Sequence, residues 1–139
     1  MTNGQAAYAT SALPAGSLGI TAVYSGDAQF IASTSASLNQ VVSKASTTTT
    51  LVSSLNPSNL NQSVTFTATV VTSTGGIATG SVAFKEGNTT LMTVAVNSSG
   101  VAAFSISNLS GGKHNMKAVY AGDGSNLNST SNTLTQTVK

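Results

Sequence analysis

One ungapped repeat constrains this chain more than any other feature. Residues 4–43 lie over residues 100–139 at a constant offset of 96 positions. The overlay pairs Gly4 with Gly100, Tyr8 with Phe104, Leu13 with Leu109, Gly16 with Gly112, Tyr24 with Tyr120 and Asp27 with Asp123. It continues through Ser33-Thr34-Ser35 over Ser129-Thr130-Ser131, Leu38 over Leu134 and Gln40 over Gln136. In each copy a leucine and a glycine-bearing turn lead into a strand that ends Ala-Val-Tyr, followed by a Gly-Asp corner. A period near 100 residues is the size of one small β-sandwich. At 139 residues the chain has room for one such module and part of a second.

The reading in order is therefore a partial module over residues 1–43, holding the last three strands of its kind, a joint over 44–48, and a complete module over 49–139. Within the complete module Ser63 to Val71 alternates Val64, Phe66, Ala68 and Val70 with Thr65, Thr67 and Thr69. That is the period of a half-buried strand with β-branched outer residues. Short strands are expected at Thr49–Ser53, Ser81–Lys85 and Thr90–Val96, then through Ala102, Phe104 and Ile106. Another runs through His114, Met116, Ala118 and Tyr120, and the last from Asn132 to Val138. Turns are expected at Asn56-Pro57-Ser58-Asn59, Gly75-Gly76, Glu86-Gly87-Asn88 and Asn97-Ser98-Ser99-Gly100, where proline, glycine and asparagine supply the needed backbone angles. Seven strands with no helical period predict an all-β chain, an antiparallel two-sheet sandwich.

Composition narrows the function classes. Charged residues make up 6% of the chain, and the five lysines, Lys44, Lys85, Lys113, Lys117 and Lys139, are spread along it with no arginine. The net charge of +2 is thus no nucleic-acid footprint. With no cysteine there is neither disulfide nor thiolate site. No apolar run reaches the length of a membrane span, and Met1 to Ala15 has neither the basic start nor the apolar core of a signal peptide.

Several segments together resemble the bacterial Ig-like repeats found in tandem on long secreted and cell-surface proteins. They are Thr47-Thr48-Thr49-Thr50-Leu51, Asn56-Pro57-Ser58, Gln62 through Val70, and Gly80-Ser81-Val82-Ala83-Phe84-Lys85. Gly112-Lys113-His114, Ala118 through Asp123 and Leu134-Thr135-Gln136-Thr137-Val138 complete the set. The resemblance implies an Ig-like sandwich, an extracellular or cell-surface location, and a non-catalytic structural or adhesive role. Its implied partners are neighbouring modules or copies of the chain itself.

Candidate chemistry is sparse, and no catalytic, cofactor-binding or metal site is expected. His114 is the single histidine, and Leu18 stands at its place in the first copy, so it is read as a strand-end residue without a chemical role. Asp27 and Asp123 follow tyrosine at equivalent corners and are read as turn caps. Calcium there would want six to eight oxygens from a chain with three acids. Lys85-Glu86 is the adjacent pair that an isopeptide bond would need, placed at a hairpin corner. Glycosylation sequons fall at Asn61, Asn88, Asn97, Asn108 and Asn128. Carbohydrate binding is the weakest reading, because tryptophan is absent and Tyr8, Tyr24 and Tyr120 are expected in the core. Two functions remain: a spacer or adhesive module of a longer surface protein, and a filament subunit joined by strand complementation or swapping of the N-terminal half. For the second, Leu13, Ile20, Tyr24, Phe30 and Leu38 are expected on exposed edges.

Overall fold

A computed structural model describes residues 4–139 and divides the chain into two compact units, one through Lys44 and one from Ala45 to Lys139. The first three residues of the expected partial module lie outside the described residues.

The N-terminal unit contains β1 (Gly16–Ile20), β2 (Val23–Tyr24), β3 (Ser33–Thr34) and β4 (Leu38–Val42). β1 and β4 form an antiparallel pair in which Gly16 faces Val42, Leu18 faces Gln40 and Ile20 faces Leu38. Because side chains alternate along a strand, these residues share one face. Ser17 and Asn39 lie on the other, joined by a 2.7 Å hydrogen bond from the serine hydroxyl. β2 pairs with β3, and the intervening Ala22 exchanges hydrogen bonds with Ser35: its N–H donates to the Ser35 hydroxyl, and its carbonyl accepts the Ser35 N–H.

Of the three strands expected for residues 4–43, the first is missing, and the other two appear as β1 with β2 and as β3 with β4. Residues 6–10 form no strand and Tyr8 is 90% exposed, so it is not a core residue. The reason lies in the second copy, where the matching residues 101–106 are held by a neighbouring strand that precedes them in the module. Residues 4–43 contain no counterpart of that neighbour. A lone strand with no ladder partner leaves its backbone groups to water and gains nothing from being extended.

The second unit contains β5 (Thr47–Ser53), β6 (Val64–Thr72), β7 (Ser81–Glu86), β8 (Thr89–Ala95), β9 (Val101–Ile106), β10 (Gly112–Tyr120), β11 (Ser129–Thr130) and β12 (Leu134–Val138). All pairings between these strands are antiparallel and fall into two sheets. One has the order β5-β6-β9. The other runs β8-β7-β10, and β11 and β12 share the far edge of β10. Eight strands thus replace the expected seven, because the long loop after Tyr120 ends in the short β11. It is fixed there by Ser131, whose hydroxyl accepts the Ala118 N–H at 3.0 Å. β5 begins at Thr47, two residues before the expected start, and β12 begins at Leu134, two residues after.

The core lies between these sheets. Val64, Phe66, Ala68 and Val70 of β6 meet Val82 and Phe84 of β7 and Met116, Ala118 and Tyr120 of β10. The Phe84 and Phe104 rings pack at 5.7 Å, tilted by 39°. Every fully buried apolar side chain among the described residues lies between Val64 and Val138. Burying a large aliphatic or aromatic side chain contributes about 1.5–3 kcal/mol, so the second unit holds the hydrophobic stabilisation and the first holds very little.

The second unit also has distinct entry and exit poles. At the start of β5, Thr47 donates its hydroxyl to Ser129, and Ala45 is bonded through its backbone to Ser125 and Leu127. At the other end of β5, Ser53 donates its hydroxyl to Gln136 at 2.7 Å, and Val138 forms a bridge with Ser58. The chain enters beside β11 and leaves beside the Asn56–Ser58 turn, separated by the length of β5.

Candidate functional site

The repeat places the same corner in both units. In the second, Gly122 has φ +82 and Asp123 closes the loop: its N–H donates to the Asn126 carbonyl at 3.1 Å. Oδ1 of Asp123 accepts the N–H groups of Ser125 and Asn126, both at 2.8 Å. Oδ2 accepts the Tyr120 hydroxyl at 2.9 Å and, from 44 residues away, the Thr79 N–H and hydroxyl at 2.9 and 2.8 Å. The Asn126 amide reaches both oxygens. Burial opposes ionisation here. The donors from Asn126, Thr79 and Ser125 prevail and hold the Asp123 carboxyl well below the usual carboxylate range. Burial and the neighbouring Asp123 push the Tyr120 phenol up to about 12. Tyr120 is fully buried and thus ties the core to this loop.

The first unit has the same local parts. Gly26 has φ +82, Asp27 N–H donates to the Phe30 carbonyl at 2.8 Å, and Tyr24 donates its hydroxyl to Asp27 at 2.8 Å. Asp27 accepts the Gln29 and Phe30 N–H groups. Those bonds, with the one from Tyr24, lower its pKa, and the bond to Asp27 raises that of Tyr24. Phe30 stands where Asn126 is in the second copy, so the side-chain donor is missing. Both aspartates therefore cap the loops that follow them. The Asp123 oxygens are occupied by at least six N–H and O–H donors, which a cation would have to displace. Among the described residues no group of three or more His, Cys, Asp or Glu side chains is placed to hold a metal.

His114 is more than a strand-end residue. It is buried on β10, with Nδ1 2.7 Å from Glu86 Oε1 and Nε2 2.8 Å from the Ser110 carbonyl. Both partners are acceptors, so the geometry is completed when both ring nitrogens carry protons. The Ser110 bond raises the His114 pKa, burial lowers it, and Glu86 raises it again, with the net direction upward. With both nitrogens engaged, the ring has none left to act as a base. Glu86 points to His114, whereas Lys85, its neighbour in β7, faces the opposite side of the sheet. Serines surround neither ring nitrogen as nucleophiles; Ser110 contributes only its carbonyl. Asn97, one of the sequon asparagines, uses its side-chain oxygen to hold the Ser99 and Val101 N–H groups of its own hairpin.

Sequence reading missed three contacts: Thr79 with Asp123, Glu86 with His114, and Gln136 with its neighbours. Gln136 is fully buried, and its amide bonds the Leu55 carbonyl, with its oxygen taking the Ser53 hydroxyl. The repeat of Gln40 and Gln136 was a usable signal for this last one. The others join residues far apart in sequence, and no local pattern announces them.

The remaining feature is the apolar face of the N-terminal unit. Leu38 is 64% exposed and Ile20 40%, with Leu18, Tyr24 and Val42 half-buried beside them. Of the equivalent residues in the second unit, Met116, His114, Tyr120 and Val138 are buried and Leu134 is half-buried against the core. Phe30 and Leu13 are exposed as expected; Tyr24 is half-buried, with its hydroxyl bonded to Asp27 of the following loop.

Residues 47–139 match the family model for the bacterial Ig-like domain, group 3. The chain belongs to this family, as its motifs implied, and the all-β sandwich is the fold expected of it. No curated protein and no solved structure matches the chain. Domains of this family are structural and interaction modules, generally without catalytic activity, and often occur in surface or extracellular proteins. No helix among the described residues is long and apolar enough to cross a membrane.

Proposed function

We propose that this bacterial Ig-like module is a spacer in a longer extracellular or cell-surface protein, carrying a binding function away from its point of attachment. The observation that supports this reading is the separation of entry and exit poles in the second unit. A chain that enters beside Ser129 and leaves beside Ser58 adds the length of a strand with each module in series. Between the last strand of the first unit, ending at Val42, and the first backbone bond of Ala45 lie only Ser43 and Lys44. Short joints favour extended arrays over flexible beads. The low charge and the Ser, Thr and Asn surface suit a role in which the module itself performs no chemistry. Small-angle scattering on one, two and three linked copies of residues 45–139 tests this. The maximum dimension should grow by roughly 30–40 Å per copy, the span of a nine-residue strand and its turns. Growth much slower than linear overturns the spacer role.

A second reading, a filament subunit joined by strand complementation or domain swapping of the N-terminal half, draws its support from the exposed face of β1 and β4. Its partners would be copies of the chain or neighbouring modules. Counting halves weighs against exchange among identical copies. Residues 4–139 hold one set of opening strands, about residues 46–96, and two closing sets, 4–43 and 100–139, so an exchange between identical copies of this segment leaves one closing set uncovered. Light scattering across a concentration series decides it: a constant monomer mass rejects the filament.

A further inference from the structure

We propose that the outer face of the sheet built from β7, β8, β10 and β12 binds an acidic polysaccharide through Lys85, Lys113 and Lys117, a role beyond that of a spacer. The lysines are spread along the sequence, and the fold gathers these three. Side chains alternate along a strand. With Phe84 of β7 and His114, Met116 and Ala118 of β10 buried, Lys85, Lys113 and Lys117 lie on the outer side. Lys85 and Lys117 stand directly opposite each other in the antiparallel ladder, with Cα atoms about 5 Å apart. Lys113 shares their face further along β10, roughly 13 Å from Lys117.

No acid of the module faces them. Residues 45–139 hold two, Glu86 and Asp123, and both are engaged elsewhere. Glu86 lies on the inner side with its carboxylate at His114, and Asp123 is bonded to Thr79, Tyr120 and its own loop. Among the described residues the three lysines make no ion pair and no side-chain hydrogen bond. Like charges set directly opposite in a sheet work against the fold. The other sheet avoids this: its outer face is uncharged, with Thr50, Thr65, Thr67, Thr69, Ala103 and Ser105. The positive charge of the sandwich is therefore concentrated on one of its two outer faces, where it costs stability and complements a polyanion.

The rest of the face narrows the partner. Arginine is absent and no aromatic side chain of β7, β10 or β12 lies on this side, so neither a bidentate phosphate grip nor a stacked nucleobase is available. The apolar residues that share the face on these strands, Ala83 and Val119, offer no large side chain to anchor a protein. Beside the ammonium groups are hydroxyls and an amide: Thr135 donates to Asn115 at 3.0 Å, and Thr137 stands opposite Lys113. Ammonium groups set among hydroxyls and an amide on a flat face fit a chain of sugar rings that carry carboxylates. The grip comes from charge and hydrogen bonds, without an aromatic platform.

The full chain should bind polygalacturonate at low salt in titration calorimetry, leave neutral dextran unbound, and release the acidic chain as salt is raised. Lys85→Thr and Lys117→Thr should each weaken binding roughly two- to fivefold, the range of one exposed ion pair. Each should also unfold at a slightly higher urea concentration, because the opposed pair is gone. Thr50→Glu changes the net charge by the same amount on the opposite sheet and should leave binding where it is. Failure of the full chain to bind polygalacturonate overturns the proposal, as does binding that survives both lysine substitutions. An equal loss in Thr50→Glu would mean that net charge alone is read. Equal or tighter binding to single-stranded DNA would mean that the occupant is not a polysaccharide. Lysine variants that unfold at lower urea would show that these side chains serve the fold. Each of these three results also overturns it.

Discussion

The Tyr24–Asp27 and Tyr120–Asp123 corners share their glycine angle, their backbone closure and their tyrosine–aspartate bond, yet only one is anchored in a core. Asp27 is served by donors within three residues of itself. Asp123 has those donors and also Thr79, 44 residues away in sequence and just ahead of β7, and the Asn126 amide. A local sequence thus suffices to shape the corner. What it becomes, a surface loop or a tie from β10 to the start of the neighbouring β7, depends on strands supplied from elsewhere in the chain.

Substitutions at the paired positions test that difference directly. Asp123→Ala should cause the largest loss, about 2–3 kcal/mol in urea unfolding of the second unit, because Tyr120 and Thr79 lose a charged acceptor. Asp27→Ala should leave that same transition where it is; an equal loss from both would mean that Thr79 adds nothing. Gly122→Ala comes next, at about 2 kcal/mol, since a β-carbon there would lie 2.9 Å from the Asn126 carbonyl at φ +82. Gly26→Ala meets the Phe30 carbonyl at 2.8 Å and is equally strained, but its unit has no buried apolar cluster to unfold with it. It should show in local hydrogen exchange and not in the global transition.

The two ionisable sites of the second unit pull stability in opposite pH directions. The Asp123 carboxyl is lowered on folding, so its contribution is present above the unfolded value, near 4, and is lost as pH falls through the folded one. Asp123→Asn should flatten the acid limb of the stability curve. The His114 pKa is raised on folding, so its contribution is complete below about pH 6.5 and disappears as pH rises through the folded value. His114→Leu, which installs the residue of the first copy, should remove this smaller slope above about pH 6.5. A slope that persists in the variant would show that another group produces it.

Much of the fold was legible because a strand half-buried in a sandwich writes its burial into alternate residues. Val64, Phe66, Ala68 and Val70 against Thr65, Thr67 and Thr69 gave β6, and the glycine and asparagine turns bounded the hairpins. The repeat gave the offset that joins the two corners, and the motifs gave the family. Errors arose where a local pattern needed a distant partner. Residues 6–10 carry the pattern of β9 but have no β6 beside them, and Tyr8 is exposed. β11 was absorbed into a loop because two residues are too few for a period.

The sequence by itself determined the sandwich class, the positions of the turns and the conformation of both Gly-Asp corners, since each rests on contacts within a few residues or on alternation along one strand. Only the tertiary structure decided that Thr79 reaches Asp123, that His114 and Glu86 pair, and that the same residues are core in one unit and surface in the other. Those outcomes depend on strands distant in sequence being brought together, and a side chain's environment is set by what packs over it.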